Sequence, residues 1–290
     1  MTILMTGLCE KGADQIWKQC NDAMYAQGVT WLEEAAYAGD AEAWFFLGHC
    51  YSWGDGAVGF NEKKAYECYL RGASAGSARA VLGALRAGQY DEQMKQSARY
   101  SIEESYRQVR DAAEMGDVYA AWQMGEAVEW EDLADYMPKT ESAREQCLFW
   151  YERAADGGII PAMVKMGKCC QNGTYREKDE KEALRWANQC AASGEVWGLF
   201  QMGEHYRQEE DWEAAFQYDY AAAKQGSSRA MLYLGQMYLN GQGTERDIQA
   251  AVQALEGAAA RNEAESFEEL GNLFYQDELV ERDDEKAFYW

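Results

Sequence analysis

The string AMLYLGQMY, residues 230–238, contains the pattern that decides the fold. It has a small residue, Leu or Met four positions later, Gly directly after that, and an aromatic residue three positions further on. Self-similarity at a regular spacing indicates a repeat protein. Related strings are AWFFLGHCY (43–51), AAWQMGEAV (120–128), AMVKMGKCC (162–170), GLFQMGEHY (198–206) and SFEELGNLF (266–274).

A second pattern alternates with the first. It has Ala, an aromatic residue three positions later, a pair of small residues, and a closing Gly or Asn. Its strings are AYECYLRGASAG (65–76), CLFWYERAADGG (147–158), ALRWANQCAASG (183–194), AFQYDYAAAKQG (215–226) and AVQALEGAAARN (251–262). The closing positions are 39, 76, 116, 158, 194, 226 and 262. They follow one another at the period of a two-helix repeat.

Local spacing and composition both favour helices. Apolar and small residues three and four apart share one helix face, and a closing Gly suits a left-handed helix cap. The chain of 290 residues has only 2 Pro, and its apolar fraction of 48% is rich in Ala, Leu, Met, Trp and Tyr. Such composition favours helix over strand. We predict an all-α protein, an α/α superhelical solenoid of antiparallel helix pairs.

The Gly inside the first helix of each pair needs an explanation. A Gly there costs about 1 kcal/mol in helix propensity. Its recurrence at one register predicts that another helix approaches closely. We expect small pairs such as Ala154 with Ala155, or Ala222 with Ala223, to face it.

These motifs resemble the Sel-one-like repeat family, a relative of the tetratricopeptide repeats. The family unit reads roughly A-x-x-x-L-G-x-x-Y, a G-x-G turn, K-A-x-x-W-Y and A-A-x-x-G. The resemblance runs from about residue 28 to the end and implies a solenoid. The matching residues are Gly48, Gly125, Gly167, Gly203, Gly235 and Gly271 in the first helix, Gly54 with Gly56 and Gly241 with Gly243 in the turn, and Trp31, Trp150, Trp186 and Trp290 in the second helix.

We predict N-terminal helices forming a degenerate cap over residues 1–38 and a repeat solenoid over 39–290. Its units are about 39–76, 77–116, 117–158, 159–194, 195–226, 227–262 and 263–290. The second is degenerate, since Gly83 is out of register. The third carries an acidic insertion, EWEDLADYMPKTES (129–142), and the last is truncated at Trp290, in the middle of its second helix.

The charge and the termini restrict the partners. A net charge of −23 opposes binding to phosphate backbones, so we expect no nucleic acid partner. No secretory signal or membrane span is recognisable, which predicts a cytoplasmic location and no membrane partner. We expect the acidic runs at residues 209–211 and 281–285 to cap the helices that follow them.

The eight cysteines predict free thiols. They occupy differing registers of the repeat and behave as small core residues in a reducing compartment. This departs from the cysteine-rich, secreted members of the resembled family, which cross-link the helices of each repeat.

Motifs for catalysis are missing. The chain has 2 His, outside any zinc motif, no C-x-x-C pair, and Gly-rich turns without the Lys of a P-loop. Adjacent Cys169 and Cys170 point in different directions on a helix. We therefore predict no enzyme activity, no catalytic residues, no metal and no cofactor.

The resemblance to tetratricopeptide-like solenoids implies that the first helices line a concave groove. We predict a protein-protein interaction scaffold whose aromatic and acidic groove binds a peptide or protein with apolar and basic residues. The alternative is a ligand-sensing regulatory module that binds a small, planar, possibly cationic molecule. The predicted groove residues are Phe45, His49, Trp53, Tyr119, Trp122, Glu126, Trp130, Trp197, Phe200, Glu204 and Arg207.

Overall fold

The computed structural model describes residues 2–18, 22–54, 58–129, 143–276 and 283–290. Over these ranges the chain forms helices and turns and contains no strand, which confirms the predicted all-α fold class. The helices are α1 (Thr2–Trp17), α2 (Asp22–Tyr37), α3 (Ala41–Trp53), α4 (Glu62–Ala75), α5 (Ala78–Arg86), α6 (Glu92–Ser97), α7 (Ile102–Glu114), α8 (Val118–Glu129), α9 (Ala143–Asp156), α10 (Ile160–Asn172), α11 (Glu180–Ala192), α12 (Val196–Gln208), α13 (Trp212–Lys224), α14 (Ser228–Asn240), α15 (Ile248–Ala259), α16 (Ala264–Gln276) and α17 (Asp284–Tyr289).

The chain divides into two compact units, residues 1–183 (unit 1) and 184–290 (unit 2), and α11 crosses the division. In unit 1 the closely packed helix pairs are α1 with α2, α3 with α4, and α8 with α9. In unit 2 they are α12 with α13, and α14 with α15, followed by α16 with α17. Each pair is thus a first and a second helix of one repeat.

Caps at both ends set the helix boundaries. The closing Gly residues at 39, 76, 116, 158, 194 and 226 all have positive φ, and Asn262 closes its repeat with φ 61°. At the other end, Asp211 accepts from the Ala214 N–H at 3.1 Å and Asp283 from the Lys286 N–H at 3.0 Å. The capping role predicted for these two acidic runs is confirmed at Asp211 and Asp283.

In four repeats the Gly of the first helix lies directly against a side chain of the second helix. A Cβ atom added to Gly48 would lie 2.7 Å from the ring of Tyr69, closer than real Cβ atoms approach other atoms. The close approach predicted from the sequence therefore exists. Equivalent contacts join Gly125 to Tyr151, Gly203 to Asp219, and Gly235 to Leu255.

The prediction that Ala pairs face these glycines is wrong. Tyr151 occupies the space at Gly125, and Asp219 occupies it at Gly203. A flat ring or a short side chain fits against a glycine surface, so the second helix contributes a larger side chain than Ala. Ala222 and Ala223 instead join an apolar cluster that includes Leu199, Met202, Ala230 and Leu234.

The N-terminal segment packs in the same way. A Cβ atom on Gly12 of α1 would lie 2.9 Å from the carbonyl oxygen of Gly28 in α2, and 2.8 Å from Leu32. The first two helices therefore cross at glycines, like the helix pairs that follow.

The degenerate unit at 77–116 has a short first helix. Helix α5 has nine residues, where α3 and α12 have thirteen, and the small helix α6 follows it. Although Gly83 is out of register in the sequence, a Cβ atom on it would lie 2.6 Å from Tyr69. The ring of Tyr69 is thus held between Gly48 and Gly83.

None of the seven described cysteines forms a disulfide, and all seven are buried. Burial raises the pKa of the Cys68 thiol to about 12, with the nearby Glu67 and Glu33 adding to the effect. Cys147 likewise has its pKa raised to about 12, chiefly by burial. Cys20 and most of the acidic insertion (residues 130–142) lie outside the described residues.

We predict that Gly48→Ala destabilises the protein by about 2 kcal/mol or more, because overpacking against Tyr69 outweighs the gain in helix propensity. The measurement is the free energy of unfolding in urea. Gly271→Ala is the matched control at the same register, where the nearest atom to a new Cβ is the Ala287 carbonyl oxygen at 3.6 Å. Equal losses for both variants would contradict the proposed role of the close contact.

Candidate functional site

Unit 1 buries an aromatic cluster around Trp17, at the end of α1. The Trp17 ring lies 5.1 Å from Phe46 and 5.5 Å from His49, both on α3. It also lies 5.7 Å from Trp122 on α8. The Tyr119 hydroxyl adds a hydrogen bond of 2.7 Å to Asp14 of α1. Three first helices therefore meet through their aromatic side chains.

Most of the groove residues predicted in unit 1 belong to this interior. Phe45, His49, Tyr119 and Trp122 are each at most 9% exposed. Trp53 is 50% exposed and Glu126 is partly exposed. Trp130 lies outside the described residues. Of the described groove residues predicted in unit 1, only Trp53 and Glu126 are therefore accessible to a partner in this conformation.

A narrow pocket remains beside the cluster. Its cavity volume is about 20 Å³. Phe45, Trp53 and Trp122 supply aromatic walls, while Gln123 and Glu126 supply polar groups. The His49 Nε2 atom lies 4.0 Å from a carboxylate oxygen of Glu126.

Unit 2 presents a partly exposed face along its first helices. The rings of Phe200 on α12 and Tyr233 on α14 stack with centroids 6.1 Å apart and an interplanar angle of 27°. Helical spacing puts Glu204 on the same face as Phe200 and Arg207. Beyond Tyr233, the side-chain amide of Gln236 on α14 donates a hydrogen bond to the carboxylate of Glu269 on α16. We call the set Phe200, Glu204, Arg207, Tyr233, Gln236 and Glu269 the acidic aromatic face.

Arg207 is neutralised within this face. Its guanidinium forms an ion pair with Asp219, which is fully buried on α13. The same guanidinium lies 3.8 Å from the centroid of the Tyr233 ring. Burial raises the pKa of Asp219 to about 6, against the opposing effect of Arg207 and with a contribution from Glu204.

Glu269 is held in a partly desolvated position. Burial raises its pKa, and the neighbouring carboxylates Glu265 and Glu268 raise it further. Glu265 also pairs with Arg229 at 3.6 Å, on exposed side chains. Negative charge is therefore concentrated at the α16 side of the acidic aromatic face.

Part of both sites lies outside the residues predicted from the sequence. The predicted groove residues lie near or within α3, α8 and α12, whereas Tyr233 is on α14 and Glu269 is on α16. Trp17 is also absent from the predicted residues, although its spacing from a glycine is a sequence signal for it. Trp17 follows Gly12 by five positions, as Trp53 follows Gly48.

No group of three or more His, Cys, Asp or Glu side chains in the described ranges is placed to hold a metal ion. Among the helices that the structure describes, none is long and apolar enough to cross a membrane.

The paired helices and their repeated glycine contact define an α/α solenoid repeat protein. The Sel1 repeat matches residues 23–40, 41–77, 118–159, 160–195, 228–262 and 268–290, more than half of the chain. The chain belongs to the Sel1 repeat family, as its motifs indicated. Proteins of this family generally mediate protein-protein interactions and are typically non-catalytic scaffolds.

One curated relative is longer than this chain. An uncharacterized protein of Neisseria meningitidis serogroup B is 28% identical over 174 residues, which are 59% of this chain and 34% of that protein. The chain therefore spans about a third of this curated relative.

The fold is shared with a solved structure. A protective antigen of uropathogenic Escherichia coli strains, with an SLR fold, has a TM-score of 0.53 at 22% identity over 91% of this chain and 63% of that one. A Sel1 repeat protein from Oxalobacter formigenes has a TM-score of 0.45 at 22% identity, over 93% of this chain and 86% of that one.

We predict that Trp122→Ala destabilises the fold by about 3 kcal/mol or more, because it removes a buried aromatic side chain from the Trp17 cluster. Trp53→Ala, at a half-exposed position of the same unit, is the control and changes the unfolding free energy much less. Urea denaturation followed by circular dichroism measures both. Equal stability of the two variants would show that Trp122 is not part of the core.

A second prediction concerns pH. Because the folded pKa of Asp219, about 6, lies above its ordinary value of 3.8, protonation stabilises the fold. This stabilisation is complete below about pH 4 and is lost as the pH rises through 6. The unfolding free energy of the wild type, relative to Asp219→Asn, should therefore fall between pH 4 and pH 7. If the unfolding free energies of the two proteins changed with pH in parallel, the raised pKa of Asp219 would be contradicted.

Proposed function

We propose that the chain acts by binding rather than catalysis, and that the acidic aromatic face of unit 2 binds a protein segment carrying apolar residues beside Lys or Arg. The observation that supports this is a side-chain contact between α12 and α14, in which the rings of Phe200 and Tyr233 stack and remain partly exposed. Trp197, also partly exposed, extends the aromatic surface toward the start of α12.

The aromatic rings supply the apolar part of the interaction. Partly exposed rings that are already fixed by stacking lose little conformational freedom when a partner covers them. Aromatic side chains also contribute much of the binding energy at interface hot spots. Phe200 and Tyr233 are therefore proposed as the main anchors.

The charges supply the preference for a basic partner. Arg207 is tied to Asp219, so its positive charge is compensated within the protein. Glu204 and Glu269 then leave the face with an excess of negative charge. A partly desolvated carboxylate such as Glu269 also regains stabilisation from a cation placed beside it.

Unit 1 contributes less to this proposal. Three residues that the sequence predicts for the same groove are buried in packing contacts. Tyr119 and Trp122 contact Trp17, and Phe45 contacts Phe46 and His49. A partner reaching them has to disrupt that cluster first.

The test starts from a random peptide library selected on the immobilised chain. Selected peptides should contain Lys or Arg next to aromatic or aliphatic residues. Fluorescence anisotropy of one labelled peptide then gives the affinity. We predict that Phe200→Ala and Tyr233→Ala each weaken it by about tenfold or more, as expected for hot-spot side chains. Glu269→Gln should weaken binding modestly, and mainly at low salt.

Tyr220→Ala is the matched control, since Tyr220 is an exposed aromatic residue on the second helix α13, outside the face. It should leave the affinity unchanged. Circular dichroism confirms that each variant is folded. Selection of acidic peptides, or equal effects of Tyr220→Ala and Tyr233→Ala, would overturn the proposal.

A further inference from the structure

The pocket of unit 1 exists because the first helix of the degenerate unit is short. Helix α5 ends at Arg86, whereas α3 and α8 continue on either side of it. Gly83 and Ala87, which line the space near its end, carry no large side chain. The space left near the ends of α3 and α8 is the pocket.

The pocket contains an acceptor that the fold leaves unused. Gln123 is 7% exposed and lines the pocket. Its Nε2 atom donates to the carbonyl oxygen of Arg79 at 3.0 Å, which fixes the orientation of the amide. The Oε1 atom is buried and has no hydrogen-bond partner within the described part of the chain. A buried acceptor without a donor costs about 1–3 kcal/mol, so a ligand that supplies a donor gains affinity.

The walls determine the shape of such a ligand. Phe45, Trp53 and Trp122 line the space with aromatic rings. Aromatic walls favour a flat aromatic group, which stacks or meets them edge to face.

The charges around the pocket argue against a cation. The Arg86 guanidinium already lies 5.1 Å from the centre of the Trp53 ring at the pocket. Glu126 supplies one carboxylate at the same pocket, 4.0 Å from His49 Nε2. The pocket thus already holds one positive and one negative charge, so a neutral donor suits it better than a second cation.

We infer that this pocket is a binding site for a neutral, flat aromatic group with a single N–H donor, of the indole type, and that the N–H donates to Gln123 Oε1. The site lies in unit 1 and is independent of the acidic aromatic face. Entry requires the pocket to widen, since its freely reachable space holds about one water molecule. Trp53, which is half exposed, is the wall that moves most easily.

The test compares indole with indene, which has the same shape and no N–H. Ligand-observed NMR titration of the full chain gives both affinities. We expect indole to bind about tenfold more tightly, although indene is the more apolar molecule, because only indole satisfies the buried acceptor. Equal or tighter binding of indene, or no binding of indole, overturns the inference without any variant.

A second ligand tests whether the indole group belongs to a partner protein or to a free small molecule. N-acetyltryptophanamide represents a Trp side chain within a partner protein. Binding of both indole and this amide supports a partner's Trp as the occupant, whereas binding of indole alone supports a free small molecule. Binding of neither overturns the site.

Gln123→Met provides the protein side of the test. It keeps the side-chain length and removes the acceptor, so the preference for indole over indene should disappear. Gln93→Met, at an exposed position of α6, is the matched control and should keep the tenfold preference. A preference that survives in Gln123→Met would show that the N–H is not recognised there. If Gln123→Met does not fold, the wild-type comparison of the two ligands decides.

Discussion

The fold depends on one steric constraint, the contact between a glycine of the first helix and a side chain of the second. At Gly48 and Gly125 the partner is a tyrosine ring, and at Gly235 it is a leucine. Because no Cβ is present, the two helix axes approach closely and the partner side chain is enclosed on one side by backbone. That enclosure buries the partner almost completely and fixes the rotation of each helix about its axis. Aromatic side chains of neighbouring first helices are thereby brought into contact, as around Trp17.

The same position carries different chemistry in successive repeats. The hydroxyl of Tyr69 accepts a hydrogen bond from Ser52 at 3.3 Å, and that of Tyr151 donates to Glu129 at 2.7 Å. In unit 2 the position holds a carboxylate, Asp219, which pairs with an arginine. A buried ion pair contributes less to stability than a ring in the same space, because both charges lose their hydration. Its effect on the exposed surface is larger, since it removes the positive charge of an arginine from a face that is otherwise acidic.

Much of the fold could be predicted from the sequence, because helix spacing, closing glycines and capping aspartates are local signals. The positive φ of Asn262 and the cap at Asp211 belong to this group. The identity of the side chain facing each glycine could not be predicted, because it depends on the rotation of the second helix. The burial of Trp122 depends on the contact between first helices such as α1 and α8. These helices lie about a hundred residues apart in the sequence, so no local pattern predicts their contact. The pocket followed from the length of α5, which the repeat pattern does not predict.

The buried cysteines have a consequence for how motions of this chain can be observed. A thiol with a raised pKa, such as Cys68, has almost no thiolate at neutral pH and is shielded from reagents. Alkylation of the native protein therefore has to wait for the helix that carries the thiol to separate from its neighbours. The rate of labelling at each of the seven cysteines described as buried then measures how often its own repeat opens. Residues 191–290 contain no cysteine. A mass increase of the native chain on alkylation therefore reports openings of the segment before residue 191.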